Sequence, residues 1–299
     1  MAMNRRGFLK LLAGAGAAGA ASVAKPSRAS EEFEGYPDRY GVLCDISRCI
    51  GCRSCEQACN QVNNLGAPAE SFDNDKVFET KRRTSSTAHT VVNKYQKENR
   101  PPAFVKTQCM HCDEPACFSA CLAKAFDKTP EGAVIWNEHK CIGCRYCMQA
   151  CPFYIPAYEY DNAFTPRVTK CTMCYPRIKD GGVPACVETC PMDALIFGKR
   201  SELITIARKR IINDSEYVDH IYGEHEVGGT SWMYISKQPF EELGFNMHLG
   251  TTALPKLTYG YLATIPVMHI TLPIILAGFY VISKGRKVSG KDETKGVQK

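Results

Sequence analysis

The apolar pattern predicts one long helix near the end of the chain. Residues 257–283 contain no Asp, Glu, Lys or Arg, although charged residues make up 23% of the sequence. At about 1.5 Å per residue, a helix of this length crosses a hydrocarbon core of about 30 Å. A buried core helix is the alternative, but so long a run without a charge favours a membrane span. The basic tail, residues 284–299, is then expected in the cytoplasm by the positive-inside rule.

One face of this predicted helix carries residues that are unusual against lipid. Pro266, His269 and Pro273 follow each other at i, i+3 and i+7, which places them on one side of a helix. A helix that contacts only lipid has no use for an imidazole and two prolines, so this face is expected to meet other helices. His269 is a candidate for contact with a quinone or a haem, and the alternative is a hydrogen bond to a neighbouring helix.

Shorter periodic segments lie before the span. The spacing of Leu203, Ile204, Ala207 and Ile211 predicts a helix over 201–213 within a C-terminal extension, 201–256. In the same extension, Gly228-Gly229 predicts a turn that leads into a strand. The polar stretch 60–108 is predicted to be an insertion with a β-hairpin, and its basic run, KRR, is predicted to be a solvated face.

The N-terminus predicts export. Residues 1–29 form a signal peptide with a charged start, an apolar middle rich in Ala and Gly, and a small-x-small end at Ser27-Arg28-Ala29. Arg5 and Arg6, followed by Phe8-Leu9-Lys10, match the twin-arginine pattern. Because the twin-arginine route carries folded proteins, a cofactor can be inserted in the cytoplasm before export.

The net charge follows this predicted layout. The chain carries +6, of which residues 1–29 contribute five basic residues and no acids. Residues 284–299 contribute six basic and two acidic residues, which leaves −3 for the region between. The basic excess therefore belongs to targeting and topology, and it does not indicate nucleic-acid binding.

The strongest chemical signal is the arrangement of cysteine. Of 17 cysteines, only Cys44 lies outside the groups, and it is predicted to be a small buried apolar residue. The other sixteen fall into four groups of four: Cys49, Cys52, Cys55 and Cys59; Cys109, Cys112, Cys117 and Cys121; Cys141, Cys144, Cys147 and Cys151; Cys171, Cys174, Cys186 and Cys190.

Three chemistries compete for these thiols. A disulfide framework is disfavoured because cysteines three residues apart close a strained loop. Zinc sites usually take two cysteine ligands from each C-x2-C turn, whereas this sequence places three cysteines in one C-x2-C-x2-C run. The run from Cys141 to Pro152, C-x2-C-x2-C-x3-C-P, is the bacterial ferredoxin pattern, in which the fourth cysteine binds the neighbouring cluster. The sequence therefore predicts 4Fe–4S clusters.

These features resemble a known family. The four cysteine groups, including QCMHCDEPAC and CIGCRYCMQACPF, the exported N-terminus, the segment EHEVGGT and the single C-terminal helix are similar to the four-cluster iron–sulfur subunits of membrane-bound respiratory oxidoreductases. Within them, the chain most resembles the HybA-type subunit of periplasmic nickel–iron hydrogenases, and the formate dehydrogenase β subunit is a close relative. The resemblance implies an α+β fold of two pseudo-symmetric ferredoxin-like lobes over residues 30–200.

The resemblance also implies how the ligands group. The four implied ligand sets are Cys49, Cys52, Cys55 and Cys190 for cluster 1; Cys59, Cys171, Cys174 and Cys186 for cluster 2; Cys109, Cys112, Cys117 and Cys151 for cluster 3; and Cys121, Cys141, Cys144 and Cys147 for cluster 4.

The implied function is electron relay without catalysis in this chain. Electrons are expected to pass between a periplasmic catalytic subunit and an integral-membrane, quinone-reactive subunit, with the globular part in the periplasm and one helix in the inner membrane. A formate dehydrogenase or another exported molybdopterin oxidoreductase is the alternative partner. A zinc-structured module without redox activity is the alternative from a different class.

Overall fold

The computed structural model describes Tyr36, residues 38–97 and residues 100–293, with side chains as far as Lys284. The predicted signal peptide, 1–29, lies outside the described residues, as do residues 294–299 of the predicted tail. The chain divides into two units, of which one is Glu34–Leu257 and the other includes Thr258–Lys299.

Helices and strands alternate along the described chain, which confirms a mixed α and β architecture. The strands are β1 (Tyr40–Asp45), β2 (Val91–Tyr95), β3 (Ala103–Thr107), β4 (Phe126–Lys128), β5 (Val134–Trp136), β6 (Ala157–Tyr158), β7 (Val168–Thr169), β8 (Leu195–Lys199) and β9 (Trp232–Ile235). The helices are α1 (Ser54–Val62), α2 (Ala116–Ser119), α3 (Tyr146–Ala150), α4 (Tyr175–Lys179), α5 (Ala185–Glu188), α6 (Arg200–Asn213) and α7 (Leu254–Glu293).

A three-stranded sheet forms the centre of the larger unit, in the order β8-β1-β9. Strand β1 pairs with β8 antiparallel and with β9 parallel. Both faces of β1 are covered, which explains its apolar run Val42-Leu43-Cys44. On one face, Leu43 packs with Leu203 and Ala207 of α6. On the other face, Cys44 belongs to the main core, so its predicted burial is confirmed at 2% exposure.

Two parts of this unit are built alike. In the first, β1 pairs antiparallel with β8 and α1 packs on α5. In the second, β5 pairs antiparallel with β4 and α3 packs on α2. Each part therefore combines a strand pair with two short helices, and each helix carries cysteines of the groups defined above.

The segment 60–108 contains the predicted hairpin, since β2 and β3 pair antiparallel. The prediction that its basic run is only a solvated face is wrong for Arg82. This guanidinium donates to Glu56 of α1 and to the carbonyl of Val92, and its side chain is 22% exposed. The buried carboxylate of Glu56 holds the arginine side chain at the protein interior. Glu56 is distant in the chain, so the residues around Arg82 do not predict this ion pair.

The segment after residue 200 belongs to the same core. The predicted helix is confirmed as α6, and the predicted strand as β9. Gly228 and Gly229 have φ of 88° and 95°, and a Cβ on Gly228 would lie 2.9 Å from that of Ala253. This turn directs β9 into the central sheet beside β1.

The predicted membrane span is found as one helix that is long and apolar enough to cross a membrane, Leu254–Lys284, with a mean hydropathy of 2.0. Helix α7 starts before the predicted residue 257 and continues into the predicted tail, to Glu293. It passes through Pro266 and Pro273 without ending. Because proline has no N–H, Pro273 leaves the carbonyl of His269 without its helical donor.

Candidate metal centres

Two cysteine loops have the same backbone conformation. Each contains C-I-G-C-R, and the arginines Arg53 and Arg145 both have φ of 59°, with ψ of 8° and 9°. The glycines of the two loops, Gly51 and Gly143, have φ of 75° and 70°. This left-handed conformation favours glycine and turns each loop back on itself before a helix starts. The first and third cysteine groups are therefore copies of one local structure.

The turns before these loops are also alike. Cys49 N–H donates to the carbonyl of Ile46, and Cys141 N–H donates to that of Glu138. The side chains of Asp45 and Asn137 cap the two turns by accepting from the N–H two residues further on. An acidic and an amide side chain can perform the same capping.

The second and fourth groups form another pair of copies. Each has the segment P-A-C, in which Pro115 and Pro184 precede the first residue of a short helix. The chain leaves each helix through a left-handed residue, Lys124 with φ of 49° and Asp193 with φ of 47°. The longer gap in the fourth group is more than a loop, since it contains α4.

Nine of the cysteines line two cavities. The first cavity is lined by Cys49, Cys52, Cys55 and Cys190 together with the buried Cys44, and the second by Cys59, Cys171, Cys174 and Cys186. Strand pairing explains this convergence, because β1 leads into Cys49 while β8 follows Cys190, and the two strands are hydrogen-bonded neighbours.

The other eight cysteines form two sets, within which neighbouring thiols raise each other's pKa. Burial raises the pKa of the Cys112 thiol, and the charges of Cys151, Cys109 and Cys117 raise it further. Burial and the neighbouring charges of Cys141, Cys121 and Cys144 together raise the pKa of Cys147 to about 11. These neighbours are the same residues that the sequence resemblance groups together.

Contacts between the sets give them a linear order. Burial raises the pKa of Cys55 in the first set, and the nearby charge of Cys186 in the second set raises it further. Cys171 of the second set packs with Cys109 of the third in one apolar cluster. Cys117 of the third packs with Cys147 of the fourth. The sets therefore follow one another through the unit as first, second, third and fourth.

The residues fit iron–sulfur clusters. All 17 cysteines are free thiols. Backbone N–H groups point at cysteine sulfurs in three of the loops, from His111 to Cys109, from Gly143 to Cys141 and from Met173 to Cys171, over 3.3–3.5 Å. Such N–H···S contacts stabilise the negative charge of a thiolate-bound cluster.

A single zinc ion fits less well. Zn–S bonds of about 2.3 Å require four sulfurs to converge on one point. In the part of the chain that the structure describes, no three His, Cys, Asp or Glu side chains converge in this way. Instead, two sets of thiols enclose cavities between them.

Sequence reasoning did not single out several buried polar groups near these thiols. Lys106 and Lys170 are buried, and Lys106 lines both cysteine-lined cavities. Trp232 lines the second cavity, and its indole N–H has no hydrogen-bond partner among the described residues. For Lys170, the sequence does offer a signal of proximity to the thiols, since this lysine directly precedes Cys171. Lys106 has no such local signal, because it reaches the cavities from the hairpin.

The histidines divide between core and surface. His111 is fully buried, and its Nδ1 accepts from Val134 N–H over 2.8 Å. Nε2 therefore carries the proton, and it has no hydrogen-bond partner in the part of the chain that the structure describes. The side chain of His139 is 88% exposed. His269 is exposed on α7, where Nδ1 contacts the carbonyl of Ile265 at 3.1 Å.

Cysteine loops, buried thiols and N–H···S contacts define this chain as a 4Fe–4S cluster protein. Residues 102–200 match the family model described as a 4Fe-4S dicluster domain. A protein of Nitratidesulfovibrio vulgaris (strain Hildenborough) is 49% identical over 99% of this chain and 81% of its own length.

Two relatives have informative names. The hydrogenase-2 operon protein HybA of Escherichia coli O157:H7 is 35% identical over 81% of this chain and 83% of its own. The iron–sulfur subunit of the nitrate-inducible formate dehydrogenase of Escherichia coli K12 is 34% identical over 72% of both. The chain belongs to the family of HybA-type iron–sulfur subunits, whose cofactors are 4Fe–4S clusters.

Proposed function

We propose that the protein relays electrons through four 4Fe–4S clusters, held by the four cysteine sets in two ferredoxin-like lobes. The observation that carries the proposal is the linear order of the sets. The two exposed cysteines, Cys52 and Cys144, belong to the first and last sets and occupy equivalent positions of the repeated loop. When bound, each cluster supplies a one-electron carrier. The chain's own part is to hold the carriers in order and to keep water away from the inner ones.

Both ends of this series are suited to meeting other subunits. Ile50 lies beside Cys52 and is 54% exposed. Beside Cys144, Ile142 and Tyr146 are 69% and 57% exposed. Apolar side chains around an exposed ligand support docking of a redox partner. We assign the partners as a periplasmic catalytic subunit, a nickel–iron hydrogenase, and an integral-membrane subunit that reacts with quinone.

The topology we propose is a periplasmic globular part, exported by the twin-arginine signal 1–29 and anchored by α7. The charge-free length of α7 supports the anchor, and the basic residues after Ser283 support a cytoplasmic C-terminus. His269 and the prolines on its face are assigned to contact with the membrane partner or its quinone.

The test is purification of the detergent-solubilised complex through a tag on this chain. The proposal requires about sixteen iron and sixteen acid-labile sulfide per chain, with a reducible paramagnetic signal from each cluster. Nickel in the co-purified catalytic subunit supports the hydrogenase assignment, whereas molybdenum supports the formate dehydrogenase alternative. Zinc without sulfide would refute the electron-relay function.

A further inference from the structure

Lys106 occupies the wall between the first two cysteine sets. It lies on β3, is 2% exposed, and is the residue that the linings of the first and second cavities share. One side of its position faces Cys49, Cys52, Cys55 and Cys190, and the other faces Cys59, Cys171, Cys174 and Cys186.

The side chain is fixed in this wall by neutral groups. Its Nζ donates to Thr90 Oγ1 over 2.8 Å and to Gln108 Oε1 over 3.0 Å, and it lies 4.5 Å from the ring centroid of Trp232. Gln108 is oriented in turn, because its Nε2 donates to the Tyr234 hydroxyl over 2.6 Å. These contacts hold the ammonium in place without neutralising it.

No carboxylate lies within ion-pair distance of the Lys106 ammonium among the described residues. A buried cation needs an opposite charge, since its desolvation is otherwise too costly. The cysteines of both sets line the cavities on either side of Lys106, so the cluster-bound thiolates of the proposed ligand sets are its counter-ions.

We propose that Lys106 is a fixed cation shared by clusters 1 and 2 and that it raises the reduction potentials of both. The inference rests on the ligand sets proposed above. The reduced state of a cluster carries one more negative charge than the oxidised state, so a nearby cation favours reduction. A cation between two carriers also weakens their mutual repulsion when both are reduced, which eases electron transfer from one to the other.

The experiment is a redox titration of the detergent-solubilised full chain, followed by paramagnetic resonance, for Lys106→Met and Lys106→Arg. The control is Lys94→Met, which removes a lysine from the paired strand β2 outside both cavities. The paramagnetic signals of clusters 1 and 2 are identified as those that change in Cys52→Ser and in Cys174→Ser, respectively. In Lys106→Met, the ratio of reduced to oxidised cluster at fixed potential should fall at least tenfold for both, which is a 59 mV shift for one electron.

Lys106→Arg and Lys94→Met should leave both centres within threefold of the wild type. Unchanged potentials in loaded Lys106→Met, or an equal shift of all four centres, would overturn the inference. If Lys106→Met does not bind clusters 1 and 2, the same redox titration is made on Lys106→Gln. If both neutral variants are purified with clusters missing, loss of clusters 1 and 2 alone supports the shared cation, and loss of all four clusters refutes it. A wild-type chain without clusters would refute the proposed function instead.

Discussion

Arg82 Nη2 donates to Glu56 Oε1 over 2.6 Å, so the polar insertion is joined to the helix that carries Cys55 and Cys59. Glu56 is 5% exposed, and its carboxylate also accepts from Arg53 and from Val92 N–H. One buried carboxylate thus connects α1, the loop before it and the hairpin. This connection positions Cys55 and Cys59, which belong to the first and second sets.

Replacing Glu56 by alanine should therefore destabilise the larger unit strongly. Removal of one partner from a buried ion pair leaves an uncompensated charge, which costs about 3–5 kcal/mol. The urea midpoint for loss of the visible cluster absorbance measures this change in the solubilised chain. Glu188→Ala is the control, because its pair with Arg177 is 59% exposed on the glutamate side and should contribute less than about 1 kcal/mol. Equal midpoints for the two variants would contradict the role of Glu56.

His89 should make stability depend on pH. Burial and the charges of Lys170 and Arg167 together lower its pKa to about 4. Between that pH and the ordinary histidine pKa of 6.5, the unfolded chain binds a proton at His89 and the folded chain does not. Stability is full above pH 6.5 and is lost as the pH falls toward 4. His89→Phe should flatten this slope in urea unfolding, whereas His139→Phe should leave it unchanged. A slope unaffected by His89→Phe would refute the prediction.

Export should depend on the arginine pair at the N-terminus. Replacement of Arg5 and Arg6 by lysine keeps the charge but removes the recognised pair, so a cluster-loaded precursor should accumulate in the cytoplasm. Cell fractionation with visible spectroscopy of each fraction measures the outcome. Replacement of Lys10 by arginine is the control and should be exported. Normal arrival of the doubly substituted chain in the periplasm would show that the signal is of another type.

His269→Ala should slow quinone reduction several-fold while dye-linked activity and cluster spectra stay intact. The physical reason is that an imidazole and a free backbone carbonyl at this depth of a membrane helix favour a polar partner. Thr271→Ala is the control on the same helix, where the hydroxyl donates to the carbonyl of Val267 within the helix itself. Unchanged quinone turnover in the assembled His269→Ala complex would leave only a packing role for the side chain.

Cys144→Ser should alter one centre of four. Serine supplies a harder oxygen ligand than the thiolate that iron–sulfur centres prefer, so the fourth cluster should lose iron or change its potential. Electron flow to quinone should fall, and flow to an artificial acceptor near the catalytic subunit should largely survive. Cys44→Ala is the control, since Cys44 lines the first cavity and does not belong to the fourth set, so the paramagnetic signal of the fourth cluster should stay intact. Four unaltered signals in Cys144→Ser would rule this cysteine out as a ligand.

The sequence by itself determines the conformation of the cysteine loops and the presence of the long apolar helix. Thiol spacing within CIGCRSC and CIGCRYC determines two loops of the same conformation, because the glycine and the residue after the second cysteine both take a left-handed φ. The charge-free run before Ser283 likewise predicts a long helix, since apolar composition and length alone decide whether a helix can span a membrane. These features depend on neighbours in the chain.

The tertiary structure decides which distant residues meet. Cys190 joins Cys49 in one cavity because β8 pairs with β1, and this pairing depends on the burial of a whole sheet. The same holds for Arg82, which is drawn to a buried Glu56, and for Lys106, which the hairpin carries into the wall between two cysteine sets. Spacing along a chain fixes a loop, whereas long-range contacts depend on how complete elements bury their apolar faces against each other.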